Sequence, residues 1–198
     1  MSTGARVKAP WPPRLITLAA GFSLTRSLAA IARPMLIDLA ESSGEAAGLA
    51  MPDGDLVHYI DQVDTVQPVL VRDWTGARAP LHAVSSGQVL LAFRTPAAIE
   101  RYLERPMERF TDRTLADADG VRERLREVRR RGYAWAIEEF DADISSVAAP
   151  IADASGEVIA AVHVHGPSYR FPTAGAEADL AQLVVAGAAR IAAGLRET

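Results

Sequence analysis

The residues with the most evident chemistry in this sequence are two imidazoles, His163-Val164-His165, at the end of the apolar run Val158-Ile159-Ala160-Ala161-Val162. Alternate side chains of an extended strand share a face, so both rings project to one side. Histidine donates, accepts, carries a proton near neutral pH or binds a metal, and zinc and iron sites use this spacing. A metal needs a third protein ligand. Glu138, Glu139, Asp141, Asp143, His82 and His58 are available, and no second spaced motif singles one out. No metal or cofactor is therefore assigned. The pair reads as one polar wall of a pocket, where the desolvation of the rings has to be offset by partners, water or a ligand.

Ser85-Ser86-Gly87 is the second candidate. It opens a predicted helix whose first N–H groups have no intrahelical acceptor, a setting that suits a carboxylate or phosphate; ordinary capping is the alternative use. As nucleophiles these serines lack the Gly-x-Ser-x-Gly elbow and an assigned base. No phosphate-binding loop or dinucleotide fingerprint occurs. With no cysteine, thiol catalysis and disulfides are excluded. These absences point to a binding domain and not to an enzyme. The testable form is a small carboxylate held between Ser85, Ser86 and Gly87 on one side and His163 or His165 on the other.

The element that positions the histidines is a hairpin over Val147 to Pro167, with Asp153-Ala154-Ser155-Gly156 as its turn and Gly156 at positive φ. Strand parity puts Val158, Ala160, Val162 and Val164 on a core face, and Ile159, Ala161, His163 and His165 on the other. Ahead of it the chain divides into a disordered lead-in over 1–13, a helix over 14–33 and a domain over 34–198. The helix carries Leu15, Leu18 and Phe22 on one stripe, breaks near Gly21 and Ser23, and restarts at Pro34. Two uses fit the stripe, a dimer contact and packing on the chain's own sheet.

Ala46 to Met51 and Leu56 to Val63 make a second hairpin around Pro52-Asp53-Gly54-Asp55, and Pro68 to Asp73 a third strand. A helix from Ser85 ends before Pro96, and Thr95 caps the next, which runs to Leu103. Asp119 to Arg131 is a charged helix with a solvated face, capped by Gly132. Tyr133 to Ile137 adds a strand, and Thr173 caps a last helix striped by Leu180, Leu183, Val184, Ala188, Ile191 and Leu195. This order is that of an α+β domain, an antiparallel sheet with helices on one face and the other face free for a ligand. The formal net charge of -4 argues against a surface built for nucleic-acid phosphates. No segment reads as a membrane span or a signal peptide, so the expected setting is cytoplasmic.

Taken together, Ile31-Ala32-Arg33-Pro34, Gly44-Glu45, Val57-His58-Tyr59-Ile60-Asp61-Gln62-Val63, Arg78-Ala79-Pro80-Leu81-His82-Ala83, Arg131-Gly132-Tyr133-Ala134, Glu138-Glu139-Phe140, Ala148-Ala149-Pro150 and Gly166-Pro167 resemble the effector-binding domain of IclR-type bacterial transcription regulators. That resemblance implies a GAF-like fold with an N-terminal linker helix. It also implies a homodimer or tetramer, and a small-molecule sensor coupled to DNA through a winged helix-turn-helix that these residues do not contain. By position it implies an effector set of Ser85, Ser86, Gly87, Ala136, Ser146, His163, His165 and Val71. Ala136 stands where the family has a carboxylate, Ser146 where it has a thiol, and the histidines where it has serines. A stand-alone metal- or ligand-binding enzyme using His163 and His165 is the competing class.

Overall fold

Strand parity and two polar turns build the centre of the molecule, which the computed structural model describes over residues 13–65 and 72–197, with side chains from residue 25 onward. Strands β1 (Ala46–Asp53) and β2 (Leu56–Val63) form the first hairpin, followed by the short β3 (Arg78–Pro80). Strand β4 (Ala134–Ile137) precedes the second hairpin, β5 (Ile144–Ala152) with β6 (Val158–Pro167). All pairings are antiparallel, and the six strands lie in the order β3-β2-β1-β6-β5-β4. The second turn closes as its residues require: the Asp153 carboxylate accepts from the Ser155 N–H at 2.8 Å, and Gly156 has φ +86°.

Helices cover both faces of the sheet, which corrects the expectation of one free face. Helices α1 (Pro13–Ser43) and α5 (Glu177–Arg196) pack on one side, where Leu28, Leu36, Leu49, Val162, Val164, Val184 and Ile191 share a core. Helices α2 (Ser85–Ala92), α3 (Pro96–Leu103) and α4 (Ala118–Arg131) close the other side around Val57, Leu81, Val89, Leu91, Leu125 and Ala161. The chain carries too much apolar residue on α2 and α4 to leave that face open, since each buried Val or Leu contributes about 1.5–3 kcal/mol.

Parity along β6 holds only from Ala160 onward. Ile151 pairs with Ala160 and Ala152 with Val158, so Ile159 is a bulge residue and the faces swap there. Val158 consequently packs towards the α2 side and Ile159 towards α1 and α5. A like irregularity opposite Leu49 and Ala50 gives β2 an extra Ile60, which leaves Tyr59 on the α2 side.

Helix α1 runs through Gly21, Ser23 and Pro34 without the expected break or restart. Leu28 and Ala32 before the proline, and Leu36, Leu39 and Ala40 after it, are buried on one sheet face. That burial outweighs the roughly 3 kcal/mol cost of an interior proline. The Leu15, Leu18 and Phe22 side chains, the expected lead-in over 1–13 except Pro13, which instead opens α1, and most of the expected strand at Pro68 to Asp73 lie outside the described residues; Arg72 and Asp73 are not strand. Thr95 caps α3 and Gly132 ends α4 at φ +79°, as read from sequence. Thr173 does not cap α5. The helix begins later, with Ala176 at its cap position, and Thr173 instead starts the preceding turn by accepting from the Ala176 N–H at 2.9 Å. At 20 residues α5 has the length and apolar content of a membrane span, contrary to the sequence reading. Its Ala181, Val184, Ala188 and Ile191 are instead buried against the sheet and α1, where Gly187 and Gly194 let Leu39 and Ile31 approach closely.

Candidate functional site

The register of the sheet lays out a floor of small residues. Ala136 faces Ser146, Ser146 faces His165, and His165 faces Ala46 across four strands; in the next row Ala148, His163 and Gly48 are neighbours. Imidazoles are the only large side chains in these two rows, and Gly48 makes room for one of them. A Cβ at Gly48 would stand 2.5 Å from His163 Cε1 and 2.7 Å from Nε2. The two rings lie 5.3 Å apart, and Tyr59 meets His163 edge-on at 5.2 Å.

Above the floor sits the N-terminus of α2. Its cap residue, Val84, has no side-chain cap, and the first intrahelical bond is Gln88 N–H to Val84 C=O at 2.9 Å, so the turn's leading N–H groups point outward. Ser85 Oγ donates to Ser146 Oγ at 2.8 Å and ties the helix to the floor. The space between them is lined by Tyr59, Trp74, Phe140, Ser146, His163 and His165, with Ala83, Val84, Ser85, Ala136, Asp141 and Ile144 completing it. About 40 Å³ of it is open to a water-sized sphere, the room of about three waters. Trp74 and Phe140 close its rim with ring centroids 5.8 Å apart.

Burial governs the electrostatics. Enclosure holds His163 well below the usual imidazole range, with His165 adding to the effect, and pushes His165 down to about 4 although Asp64 and Asp73 pull the other way. Both rings are therefore neutral at pH 7. His163 Nδ1 and both nitrogens of His165 are buried with no hydrogen-bond partner, and they are the only such side-chain atoms among the described residues. Burial also raises the Tyr59 hydroxyl to about 12, against its bond with Ser86.

Five expected residues thus meet at one cavity: Ser85, Ala136, Ser146, His163 and His165. Ser86 is buried and does not line the cavity. Gly87 packs on the backbone of Leu81. Val71 lies outside the described residues. Sequence reasoning did not place Tyr59, Trp74 or Phe140 at the site and named Asp141 only as an available metal ligand, yet all four line the cavity; the parity of β2, with Val57 and Tyr59 on one face, was the available signal for the first. Of the residues available as a third metal ligand, His82 is committed to Tyr102 Oη at 2.8 Å and the Glu108 carbonyl at 2.9 Å, and Glu139 to Arg124 at 2.8 Å. Among the described residues no three His, Cys, Asp or Glu side chains converge on a metal site.

Residues 23–193 match the family model described as bacterial transcriptional regulator IclR C-terminal. The chain belongs to the IclR family. The HTH-type transcriptional regulator BhcR of Paracoccus denitrificans is 40% identical over 144 residues, which are 72% of this chain and 52% of BhcR. The crystal structure of a transcriptional regulator from Rhodococcus sp. RHA1 superposes with a TM-score of 0.83 at 31% identity, covering 94% of this chain and 76% of that one. An IclR homologue from Microbacterium hydrocarbonoxydans, solved in complex with 4-hydroxybenzoate, gives a TM-score of 0.82 at 27% identity over 94% of this chain and 75% of that one. This IclR-type domain spans about half the length of the curated relatives it matches.

Proposed function

We propose that this domain is the sensor of a cytoplasmic transcription regulator, not an enzyme, and that its pocket takes a small carboxylate. One observation carries the reading: a helix N-terminus without a side-chain cap faces buried, unpartnered imidazoles across a cavity. The helix end supplies N–H donors and partial positive charge for the anion, and a neutral ring adds a further donor. The family and the aromatic acid held by the Microbacterium homologue support it. In the full regulator, occupancy would bias DNA binding through a winged helix-turn-helix joined to α1.

His163→Ala and His165→Ala are each expected to weaken binding of the best acid from a thermal-shift panel by roughly tenfold, the worth of one hydrogen bond to a charged group. Calorimetry measures this. Val164→Ala, on the opposite face and fully buried, should cost about 2 kcal/mol of stability and leave affinity alone. Because burial holds both rings below the usual imidazole range and so neutral near pH 7, affinity should be flat between pH 8 and 6.5. Two histidine variants that bind as tightly as the parent would remove this strand face from the site.

We propose further that the domain self-associates through the first turns of α1, which carry Leu15, Leu18 and Phe22. Sedimentation at high protein concentration should show dimer or tetramer; a clean monomer ends that reading.

A further inference from the structure

We infer that Trp74 is the door of the cavity: its indole swings away from Phe140 to admit a ligand, while Phe140 stays in place. Access is the difficulty this pocket poses. His163 Nδ1 and both nitrogens of His165 are buried, and the open space of about 40 Å³ holds about three waters. For any larger ligand to reach the imidazoles, one of the two rim rings has to part from the other.

The two rings are held very differently. Phe140 is backed by Phe110, with centroids 4.9 Å apart. The residues before it are tied down as well. Thr111 Oγ1 donates to the Glu138 carbonyl at 2.6 Å and Thr114 Oγ1 to the Glu139 carbonyl at 2.5 Å, while the Glu139 carboxylate accepts from Arg124 and Gln88. Trp74 belongs to no helix or strand. Its main chain is anchored, since the Ala77 N–H donates to the Trp74 carbonyl at 2.8 Å and the Gly76 N–H to the Tyr59 carbonyl at 2.9 Å. The indole therefore moves by turning about its own side-chain bonds. Over its ring, 4.0 Å from the centroid, lies the guanidinium of Arg72, an exposed residue that does not line the cavity. A long, solvated side chain resting on the ring face is a weaker hold than a second packed ring tied into a hydrogen-bond network.

This door serves the pocket whatever its ligand, so the test needs none, and no outcome touches the carboxylate reading. Diethyl pyrocarbonate, an uncharged reagent for neutral imidazole, is applied to the full chain at pH 7, and peptide mapping gives a rate for each of the four histidines. His58 is half-buried and off the cavity, and His82 has both ring nitrogens bonded, so these two are internal references. In the parent His163 and His165 should react more slowly than His58, at a rate set by the open fraction. Arg72→Ala should speed both about two- to fivefold, the worth of one exposed cation–π contact, and Arg72→Lys should return them towards the parent. Trp74→Ala should speed them roughly tenfold or more by removing the door. The references should not change. Pocket histidines as reactive as His58 in the parent would show that no door exists. Rates indifferent to Arg72→Ala would leave Trp74 fixed, and a rise shared by all four histidines would mean general loosening; each overturns the assignment. Should the parent's pocket histidines stay unmodified, Trp74→Ala has to expose them, and its failure to do so overturns it as well.

Discussion

Replacing Gly87 by alanine is expected to destabilise the domain by about 3 kcal/mol, at the upper end for an overpacked core. Intrinsic propensity points the other way, since alanine in a helix is favoured over glycine by roughly 1 kcal/mol. Packing reverses the sign. A Cβ on Gly87 would stand 2.5 Å from the Leu81 carbonyl oxygen, 2.6 Å from its Cα and 2.8 Å from its carbonyl carbon. All three are main-chain atoms, and Leu81 is fully buried. Its neighbour His82 is pinned by an N–H bond to Tyr102 Oη at 3.1 Å, so the segment cannot swing aside. Helix α2 must move instead, and with it Ser85 leaves Ser146. In urea titration the midpoint should fall without recovery in ligand, and the melting temperature should drop by about 6–12 °C for a domain of this size. A variant as stable as the parent would show that α2 and the Leu81 segment are not locked together.

Arg124→Ala should cost about 3 kcal/mol, because it strands a buried carboxylate. Arg124 Nη1 donates to Glu139 Oε1 at 2.8 Å, to the Trp135 carbonyl at 3.0 Å and to Gln88 Oε1 at 3.1 Å. Gln88 Nε2 in turn donates to Glu139 Oε2 at 2.7 Å and to the His82 carbonyl at 3.0 Å. One guanidinium thereby joins α4, α2 and the end of β4, just ahead of Phe140 and Asp141 on the pocket wall. Burial already pushes the Glu139 carboxyl up, more than Arg124 and Gln88 pull it down. Without Arg124 the folded-state value rises further. A group raised in the folded state favours folding below its unfolded value and opposes folding as pH rises through its folded value. The deficit of Arg124→Ala should therefore be larger at pH 7 than at pH 4.5 and shrink as pH falls between them. Urea midpoints of variant and parent across that range measure it, and a deficit independent of pH would mean that only packing was lost.

Much of the fold was written in local chemistry. The Asp153 to Gly156 turn, the Thr95 cap, the Gly132 terminator and the alternation of Ala160 to His165 each depend on residues within a few positions of one another. For that reason the hairpin, most helix ends and the shared direction of His163 and His165 could be read in advance. Local signals misled where burial overrode them. Pro34 and the Gly21 to Ser23 stretch look like breaks, yet α1 continues through them because its apolar residues meet one sheet face. The charges of α4 look uniformly solvated, yet Arg124 reaches in to Glu139, Gln88 and the Trp135 carbonyl, and Arg129 to the Ala92 and Arg94 carbonyls.

The sequence by itself determined which residues could build a pocket: a histidine pair on one strand face and a serine pair opening a helix, on an α+β frame. Tertiary structure alone decided how those parts meet. Ser85 comes to Ser146 from 61 residues away, and Gly48 seats His163 from the neighbouring strand. Of the three residues that open α2, only the first lines the cavity, while Ser86 is buried off it and Gly87 bears on Leu81. Spacing along a strand or helix fixes a direction, but a pocket also needs distances between strands and helices remote in sequence. Register, bulges at Ile60 and Ile159, and the closure of both sheet faces set those distances. The same closure strips water from the imidazoles, holds them neutral and leaves three of their four nitrogens buried without a partner.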